Sequence, residues 1–268
     1  MQLNCLFWNA GRKSPDLEIA ELVASSGANF IALAEYMDDG ANLLHELSKK
    51  GLGFFLIPKI GCDRITLLVS FNYSFISHKR EADRYTIKEL AVPGFEPVLL
   101  AFVHFPSKLH TTSLDQVHIA SFFKRDLEEA EIEAGHTNTI VTGDFNMNPF
   151  DDGMMSAVAL NSLPCLVTAN KKERVIHGNT HSFFYNPTWN LLGDFTGVPG
   201  TYFHSSPTSL SHYWNTLDQV ILRPIVASQL DRNSLKILTT AGPIDLVGKK
   251  NRPKISDHLP IFFAFNLA

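Results

Sequence analysis

The sequence predicts a mixed α/β protein, and two observations support that prediction. The first is a strand, a helix and a second strand within about 35 residues, which is typical of a right-handed crossover between neighbouring parallel strands. The second is a later series of short apolar segments joined by Gly, Pro, Asn or Asp, which indicates antiparallel strands. No linker divides the 268 residues, so we expect a single domain over residues 1–268.

The composition is that of an ordinary soluble globular protein, with 45% hydrophobic and 19% charged residues. Twenty phenylalanines indicate a thick, sheet-rich core. The formal net charge of -4 gives no overall basic field, so a nucleic-acid substrate would need a local basic patch or a metal ion. No apolar run approaches the roughly 20 residues of a membrane span, and the oligomeric state is not readable from the sequence.

Three cysteines, Cys5, Cys62 and Cys165, have no spacing typical of a metal or redox pair. We predict reduced core thiols in a cytosolic protein, and therefore a cytoplasmic location. The N-terminus agrees, because it lacks the basic start of a signal peptide.

The first unit predicts two polar side chains at one edge of a sheet. A buried strand over residues 3–8 is followed by Asn9, and a second over residues 30–34 is followed by Glu35. A helix that ends at Gly27 joins them. Because the two strands would be parallel neighbours, Asn9 and Glu35 should lie side by side.

The middle of the chain predicts an antiparallel series and then a long helix. A short helix over residues 41–50 precedes strands over residues 54–57, 65–70, 75–77, 85–90 and 98–105. The last of these strands is too apolar to face water on either side, and it contains His104 near its end. A capping box of Ser113 with Gln116 predicts the start of the long helix, whose apolar face would run from Leu114 to Leu127.

The next strand, over residues 139–142, leads directly into an acid and two amides. Asp144 and Asn146 follow it, in a turn bracketed by Gly143 and Pro149. Polar groups at the mouth of a buried strand cost desolvation energy unless a charged partner meets them, and a divalent metal with a phosphate would do so. The alternative is an ordinary polar turn after a strand.

The last third contains a predicted helix around residues 153–160 and a long irregular stretch, residues 174–211. We interpret that stretch as short elements with a substrate-facing loop, and disorder is the alternative. Strands are predicted over residues 217–222, 234–240 and 259–265. Asp218 lies in the first of these, and Asp257 and His258 directly precede the last.

Eight polar residues thus lie at the ends of apolar strands that feed one core. Taken singly, each is more often structural than functional. Together, Glu35 and Asp257 offer hard oxygen ligands for Mg²⁺ or Mn²⁺, and Asn9 can complete the shell. No set of Cys and His offers a zinc site. Two histidines near acids can handle a proton and the charge that develops on phosphorus.

Six sequence blocks resemble the endonuclease/exonuclease/phosphatase superfamily, in order and approximate spacing over essentially the whole chain. They are Phe7-Trp8-Asn9, Ala34-Glu35, Val103-His104, Gly143-Asp144-Phe145-Asn146, Leu217-Asp218-Gln219-Val220 and Ser256-Asp257-His258. The resemblance implies a four-layer sandwich of two mixed β-sheets packed face to face and flanked by helices. It also implies metal-dependent hydrolysis of phosphodiesters or phosphomonoesters.

The same resemblance implies a role for each site residue. Glu35 would hold the main metal, with Asn9 and Asp257 nearby. Asp144 would orient or activate the attacking water, and Asn146 and His104 would hold the scissile phosphate. His258, paired with Asp218, would act on the phosphate or on the water.

The substrate stays open at this point. We predict a nuclease acting on DNA or RNA; the alternatives are a phosphodiesterase or phosphatase on a small or lipid phosphate, and an inactive binding module on the same fold. Lys108 would lie beside the phosphate, or it is a solvated loop lysine. Arg80, Arg84 and Lys108 form the predicted basic cluster for nucleic acid.

Overall fold

The fold is known from a computed structural model that describes residues 1–109, 111–195, 197–207, 209 and 211–268. Its α-helices are α1 (Asp16–Ser26), α2 (Ala41–Lys49), α3 (Ser113–Ala134), α4 (Asp152–Met155) and α5 (Leu166–Ala169). Its strands are β1 (Gln2–Lys13), β2 (Phe30–Tyr36), β3 (Phe55–Ile57), β4 (Ile65–Val69), β5 (Ile76–Ala82), β6 (Tyr85–Leu90), β7 (Val98–His104), β8 (Thr139–Asp144), β9 (Ser162–Leu163), β10 (Glu173–Ile176), β11 (Asn179–Ser182), β12 (Phe184–Tyr185), β13 (Tyr202–Phe203), β14 (Trp214–Asn215), β15 (Asp218–Leu222), β16 (Leu230–Ile237), β17 (Thr240–Ala241), β18 (Ile244–Asp245) and β19 (Ile261–Asn266). Short 3-10 turns cover Tyr73–Phe75, Pro187–Leu191 and Pro224–Gln229.

Two large mixed sheets organise these strands. The first has the order β16-β19-β1-β2-β4-β3, and the second has the order β5-β6-β7-β8-β15-β12-β9. Each sheet contains one central parallel pair made by a helical crossover: β1 with β2 through α1, and β7 with β8 through α3. The predicted parallel arrangement of the first two strands is therefore confirmed.

Apolar side chains fill three interfaces between four layers. One core lies between the sheets, where Phe30 of β2 stacks on Phe102 of β7 at a centroid distance of 5.1 Å. A second core lies between the first sheet and helices α1 and α2, and a third lies between the second sheet and α3. Both sheets are thus covered on both faces, which explains their nearly continuous apolar sequences. The predicted four-layer sandwich is confirmed.

Alternation along β2 shows how the sequence serves two cores at once. Phe30, Ala32 and Ala34 face the other sheet, while Ile31 and Leu33 face the helices. A strand has a side-chain period of two, so a chain buried on both faces needs apolar residues at every position. In β2 the pattern ends at Glu35, the residue before the last of the strand.

Helix boundaries differ from the sequence prediction in two places. Helix α3 begins one residue earlier, with Thr112 as N-cap and Asp115 completing the capping box, in place of Ser113 and Gln116. Leu114 is 63% exposed and does not join the apolar face, because the face begins a turn later. The helix predicted over residues 153–160 is only the single turn α4, followed by turns.

Strand limits also shift at several places, and one cysteine prediction is wrong. Strand β5 runs to Ala82, and β16 begins at Leu230, four residues before the predicted start. Cys5 and Cys62 are buried as predicted, but Cys165 is exposed because it precedes the short surface helix α5.

The irregular stretch over residues 174–211 does consist of short elements. It contains most of the β10–β11 hairpin, strand β12, a 3-10 turn and strand β13. Residues 196, 208 and 210 of this stretch lie outside the described part of the chain. Throughout the described residues, no helix has the length and apolar character needed to cross a membrane.

Candidate active site

The site is centred on Asp144, the last residue of β8. Parallel pairing places His104, the last residue of β7, directly beside it. Antiparallel pairing places Asp218, the first residue of β15, on its other side. Strand register alone therefore brings three ionisable side chains together at one end of the central strands of the second sheet.

Three hydrogen bonds hold the buried Asp144 carboxylate. Its Oδ2 accepts from Nδ2 of Asn9 at 2.8 Å and from Nδ2 of Asn146 at 3.0 Å, and its Oδ1 accepts from the backbone N–H of Asn146 at 2.8 Å. Asn9 belongs to β1 of the other sheet, so this bond joins the two sheets at their ends. These three donors fix the orientation of the carboxylate.

Both amide hydrogens of Asn146 are engaged in the site itself. Its Nδ2 donates to Asp144 and to the carbonyl oxygen of Phe105 at 2.8 Å. Its backbone φ of 51° lies in the left-handed region, which turns the side chain back toward the strand that it follows. Asn146 thus orients Asp144, and the phosphate contact that the resemblance implies would require one of these bonds to break.

His258 and Asp218 form a hydrogen-bonded pair. The distance from Nδ1 to Asp218 Oδ2 is 2.7 Å, and Nε2 of the same ring lies 3.9 Å from Asp144 Oδ2. Burial alone would lower the pKa of His258, but the charges of Asp218, Asp144 and Asp257 and the Asp218 hydrogen bond outweigh it and raise the pKa to about 10. Burial raises the pKa of Asp218. The raised pKa of His258 keeps its imidazole protonated at neutral pH, and three carboxylates surround that charge.

Glu35 points into the same space from the first sheet. Its Oε1 lies 3.3 Å from Nε2 of His104, and its Oε2 lies 3.7 Å from Nε of Arg12. The hydrogen bond from His104, assisted by the charges of His104 and Arg12, lowers the pKa of Glu35 against the opposing effect of partial burial. Glu35 is therefore a carboxylate at neutral pH.

The backbone around Glu35 and Asp257 is held in uncommon conformations. Glu35 has φ 50°, and β1 bulges where Gly11 and Arg12 have φ 62° and 57°. A Cβ at Gly11 would lie 2.7 Å from Oδ1 of Asp257, so glycine is needed for the close approach of that carboxylate. Left-handed non-glycine residues cost energy, and they concentrate at functional sites.

These side chains surround a cleft of about 750 Å³. Seven of the eight predicted residues line it, and the eighth, Asp218, lies behind His258; the seven are Asn9, Glu35, His104, Asp144, Asn146, Asp257 and His258. Lys108 also lines it, with its Nζ 2.6 Å from Asp151 Oδ2, and so does Arg84. Arg80 pairs with two glutamates of α3 and does not line the cleft. The prediction that it belongs to the basic cluster is therefore wrong.

Comparison with known proteins decides the family. A sequence model of the Endonuclease/Exonuclease/phosphatase family matches residues 1–258. The chain belongs to this family. No curated protein matches the sequence significantly.

Solved structures of members of this family share the fold. The D. rerio TDP2 structure, complexed with single-strand DNA product, has 16% identity and a TM-score of 0.56, with 99% of each chain covered. ANGEL2, described as a 2′,3′-cyclic phosphatase in complex with adenosine-2′,3′-vanadate, has 13% identity and a TM-score of 0.60 over 100% of this chain and 96% of that one. The human Nocturnin catalytic domain with bound sulfate has 14% identity and a TM-score of 0.54 over 100% and 95%.

The donor set suits a divalent cation, as expected for this family. Glu35, Asp144, Asp218 and Asp257 bring four carboxylates to the site. Among the described residues, Asp144, Asp218 and His258 offer ligand atoms within 4.8 Å of one another. Asp218 and His258 already share a 2.7 Å hydrogen bond, and all three residues are buried. Mg²⁺ keeps several water ligands, so the cleft-facing Glu35 and Asp257 suit it better.

Several cleft residues escaped the sequence prediction. Tyr202 packs on His258, with ring centroids 4.7 Å apart, and Arg64 lines the rim near Arg84. Thr201, buried behind the cleft, accepts from the backbone N–H groups of Leu217 and Asp218. The sequence signal for this surface was the pair of ring side chains at Tyr202 and His204, two positions apart. Only the strand pairing shows that both rings face the cleft.

Proposed function

We propose that the protein is a Mg²⁺- or Mn²⁺-dependent phosphodiester hydrolase that acts on DNA or RNA through attack of water on phosphorus. The supporting observation is the position of Asp144 between two histidines, His104 at the next strand and His258 across the cleft. Nε2 of each ring lies 3.9 Å from Asp144 Oδ2. A hydrogen-bond acceptor and a protonated donor therefore face the same small space, as hydrolysis of a phosphodiester requires.

Each residue of this chain has a definite task in that reaction. Asp144, held by Asn9 and Asn146, orients the attacking water by accepting a hydrogen bond from it. His258, protonated and held by Asp218, donates from Nε2 to a phosphate oxygen as negative charge develops there. Glu35 and Asp257 would hold the cation with Asn9 beside them, and the cation when bound would neutralise the phosphate charge.

The rim of the cleft favours nucleic acid as substrate. Arg64 and Arg84 line it and pair with the exposed Asp83, and Lys108 lines it and pairs with the half-buried Asp151. Ion pairs of this kind contribute little, so a phosphate can replace the carboxylate partner. The single-strand DNA product named for the D. rerio TDP2 structure agrees with this proposal.

A small phosphodiester is the second candidate, and the size of the cleft favours it. A volume of about 750 Å³ lies within the range of sites for small ligands. The 2′,3′-cyclic phosphatase activity named for ANGEL2 shows a relative of this kind on the same fold.

One panel of substrates separates these possibilities. Plasmid DNA, a single-stranded RNA and a small phosphodiester are each incubated with and without Mg²⁺ or Mn²⁺. We expect metal-dependent cleavage of nucleic acid that is abolished in Glu35→Gln. Glu96→Gln is the matched control, because Glu96 is exposed near the start of β7, about 20 Å from His104 at its end. Cleavage of the small phosphodiester alone would support the second candidate, and no cleavage at all would support an inactive module.

A further inference from the structure

Three rings form a ladder from the catalytic pair to the cleft opening. His258 is buried at its base, Tyr202 is half-buried in the middle and His204 is exposed at the top. The centroids of His258 and Tyr202 lie 4.7 Å apart, and those of Tyr202 and His204 lie 6.2 Å apart with an interplanar angle of 13°. Tyr202 and His204 both line the cleft. The ladder therefore ends in a flat, exposed ring beside the proposed reaction centre.

The β13–β14 hairpin fixes the direction of the ladder. Because side chains alternate along a strand, Phe203 points away from Tyr202 and His204. Its ring packs against Trp214 at 5.5 Å, and the guanidinium of Arg252 lies 4.1 Å from its centroid. The backbone N–H of His204 donates to the carbonyl oxygen of Tyr213 at 2.7 Å. The cleft-facing rings are thus anchored from behind and do not depend on a substrate for their placement.

A second set of residues gives the cleft a cationic rim. Asp83 accepts a hydrogen bond from Nε of Arg64 at 3.1 Å and forms an ion pair with Arg84, whose Nε lies 3.0 Å from Oδ2. Two guanidinium charges thus share one carboxylate, whose side chain is 69% exposed. This part of the rim keeps a net positive charge and suits a phosphate next to the scissile one.

We propose that the cleft binds an unpaired nucleotide, with its base stacked on the outer end of the Tyr202–His204 ladder and a neighbouring phosphate against Arg64 and Arg84. This inference rests on the proposed function and narrows its substrate to single-stranded nucleic acid. Bases in a duplex are already stacked and paired, so each would have to leave the helix to reach the ladder, at an energetic cost. Base–aromatic stacking is sequence-tolerant and changes affinity by about 5- to 150-fold per base.

The test compares two oligomers that differ only in their bases. One is a single-stranded thymidine oligonucleotide, and the other has the same length and phosphates but carries abasic tetrahydrofuran residues. The measured quantity is the ratio of kcat/KM on the first to kcat/KM on the second. We expect the wild-type ratio to exceed one, to fall about 5- to 150-fold in Tyr202→Ala and less in His204→Ala, and to be kept in Tyr202→Phe. Damage to His258 would slow both oligomers equally and leave the ratio unchanged.

The outcomes distinguish failure of this inference from failure of the proposed function. If the wild-type protein cleaves both oligomers and neither alanine variant changes the ratio, the ladder does not bind bases and the inference is wrong. His204 is exposed, so His204→Ala keeps this test valid even if Tyr202→Ala does not fold. If the wild-type protein cleaves neither oligomer with Mg²⁺ or Mn²⁺, the proposed function is wrong, and the inference that rests on it is wrong as well. Faster cleavage of the matching duplex than of the single strand would also overturn the inference.

Discussion

The pairing of Asp218 with His258 makes the most detailed prediction. Asp218 is fully buried and lies 2.7 Å from Nδ1 of His258, whose pKa is raised from 6.5 to about 10. The difference, 10 minus 6.5, is about 3.5 pKa units, or on the order of 5 kcal/mol in favour of the imidazolium. Asp144 and Asp257 share in this effect, so we expect Asp218→Asn to lower the pKa of His258 toward 6.5 without abolishing the whole shift.

The same shift sets a pH window for stability. The folded-state pKa of His258 is above its unfolded value, so its contribution to the free energy of unfolding is complete below about pH 6.5. That contribution is lost as the pH rises through about 10. In Asp218→Asn the contribution of His258 to the free energy of unfolding should already be smaller at neutral pH. The difference in stability between the wild type and Asp218→Asn should therefore shrink toward high pH.

NMR titration of the His258 ring in metal-free protein tests this directly, with His258→Gln used to assign the signal. In activity assays, we expect His258→Ala to lower kcat by about 10²- to 10⁴-fold and Asp218→Asn to lower it by no more. The double variant should resemble His258→Ala, because residues that act as a unit are not additive. A wild-type His258 that titrates near 6.5, or two losses that multiply independently, would refute the pairing as the basis of catalysis.

Three further predictions concern stability and substrate binding. Burial would raise the pKa of Glu81, but hydrogen bonds and the buried Lys88 outweigh it and lower the pKa from 4.5 to about 2. Glu81→Gln should therefore lower the free energy of unfolding by about 3 kcal/mol at pH 7. Acid unfolding should show this contribution in full above pH 4.5 and its loss toward pH 2. Gly143 has φ 152°, and in Gly143→Ala the new Cβ would lie 2.1 Å from a backbone oxygen of β7, so urea unfolding should show a loss of about 3 kcal/mol. Gly51→Ala is the control, because Gly51 has φ 73° but open space around it, and it should lose only about 1 kcal/mol. Arg84→Gln should reduce the slope of log affinity against log salt concentration for a single-stranded oligonucleotide by about 0.7. Arg80→Gln is the control and should leave the slope unchanged, because Arg80 does not line the cleft. Equal slopes in the wild type and both variants would contradict the placement of Arg84 on the substrate-binding rim.

Much of the fold could be predicted from the sequence because its apolar patterns are strong. The crossover from β1 to β2 and the fully apolar β7 follow from the requirement that a strand between two layers be apolar at every position. The convergence of Asn9, Asp144 and His258 was predictable in the same way, since polar residues at the ends of such strands stand out against the apolar background.

The errors arise where local and tertiary preferences compete. Thr112 and Ser113 are both good N-caps, and the choice depends on which one allows Asp115 to reach back. Arg80 and Arg84 lie in one hairpin, and only the packing of α3 shows that Arg80 faces its glutamates. The engagement of both amide hydrogens of Asn146 could not be predicted, because one of them goes to the carbonyl oxygen of Phe105, 41 positions away in the sequence.

The role of Tyr202 was hidden for a related reason. It lies in a stretch without clear periodicity, and its partner His258 is 56 positions away in the sequence. The contact is made by an isolated bridge between the two residues, which no local pattern announces. Aromatic residues in such loops therefore need a structure before a substrate can be inferred from them.

The central claim is that the cleft holds a divalent cation on Glu35 and uses it to hydrolyse a phosphodiester. The most direct measurement follows Mn²⁺ binding by electron paramagnetic resonance together with cleavage of a fluorescent single-stranded oligonucleotide, in wild-type protein, Glu35→Gln and Glu96→Gln. We predict that Glu35→Gln loses both tight Mn²⁺ binding and cleavage while its thermal unfolding stays close to that of the wild type, and that Glu96→Gln keeps both. Undiminished cleavage in excess chelator, or in Glu35→Gln, would contradict the claim.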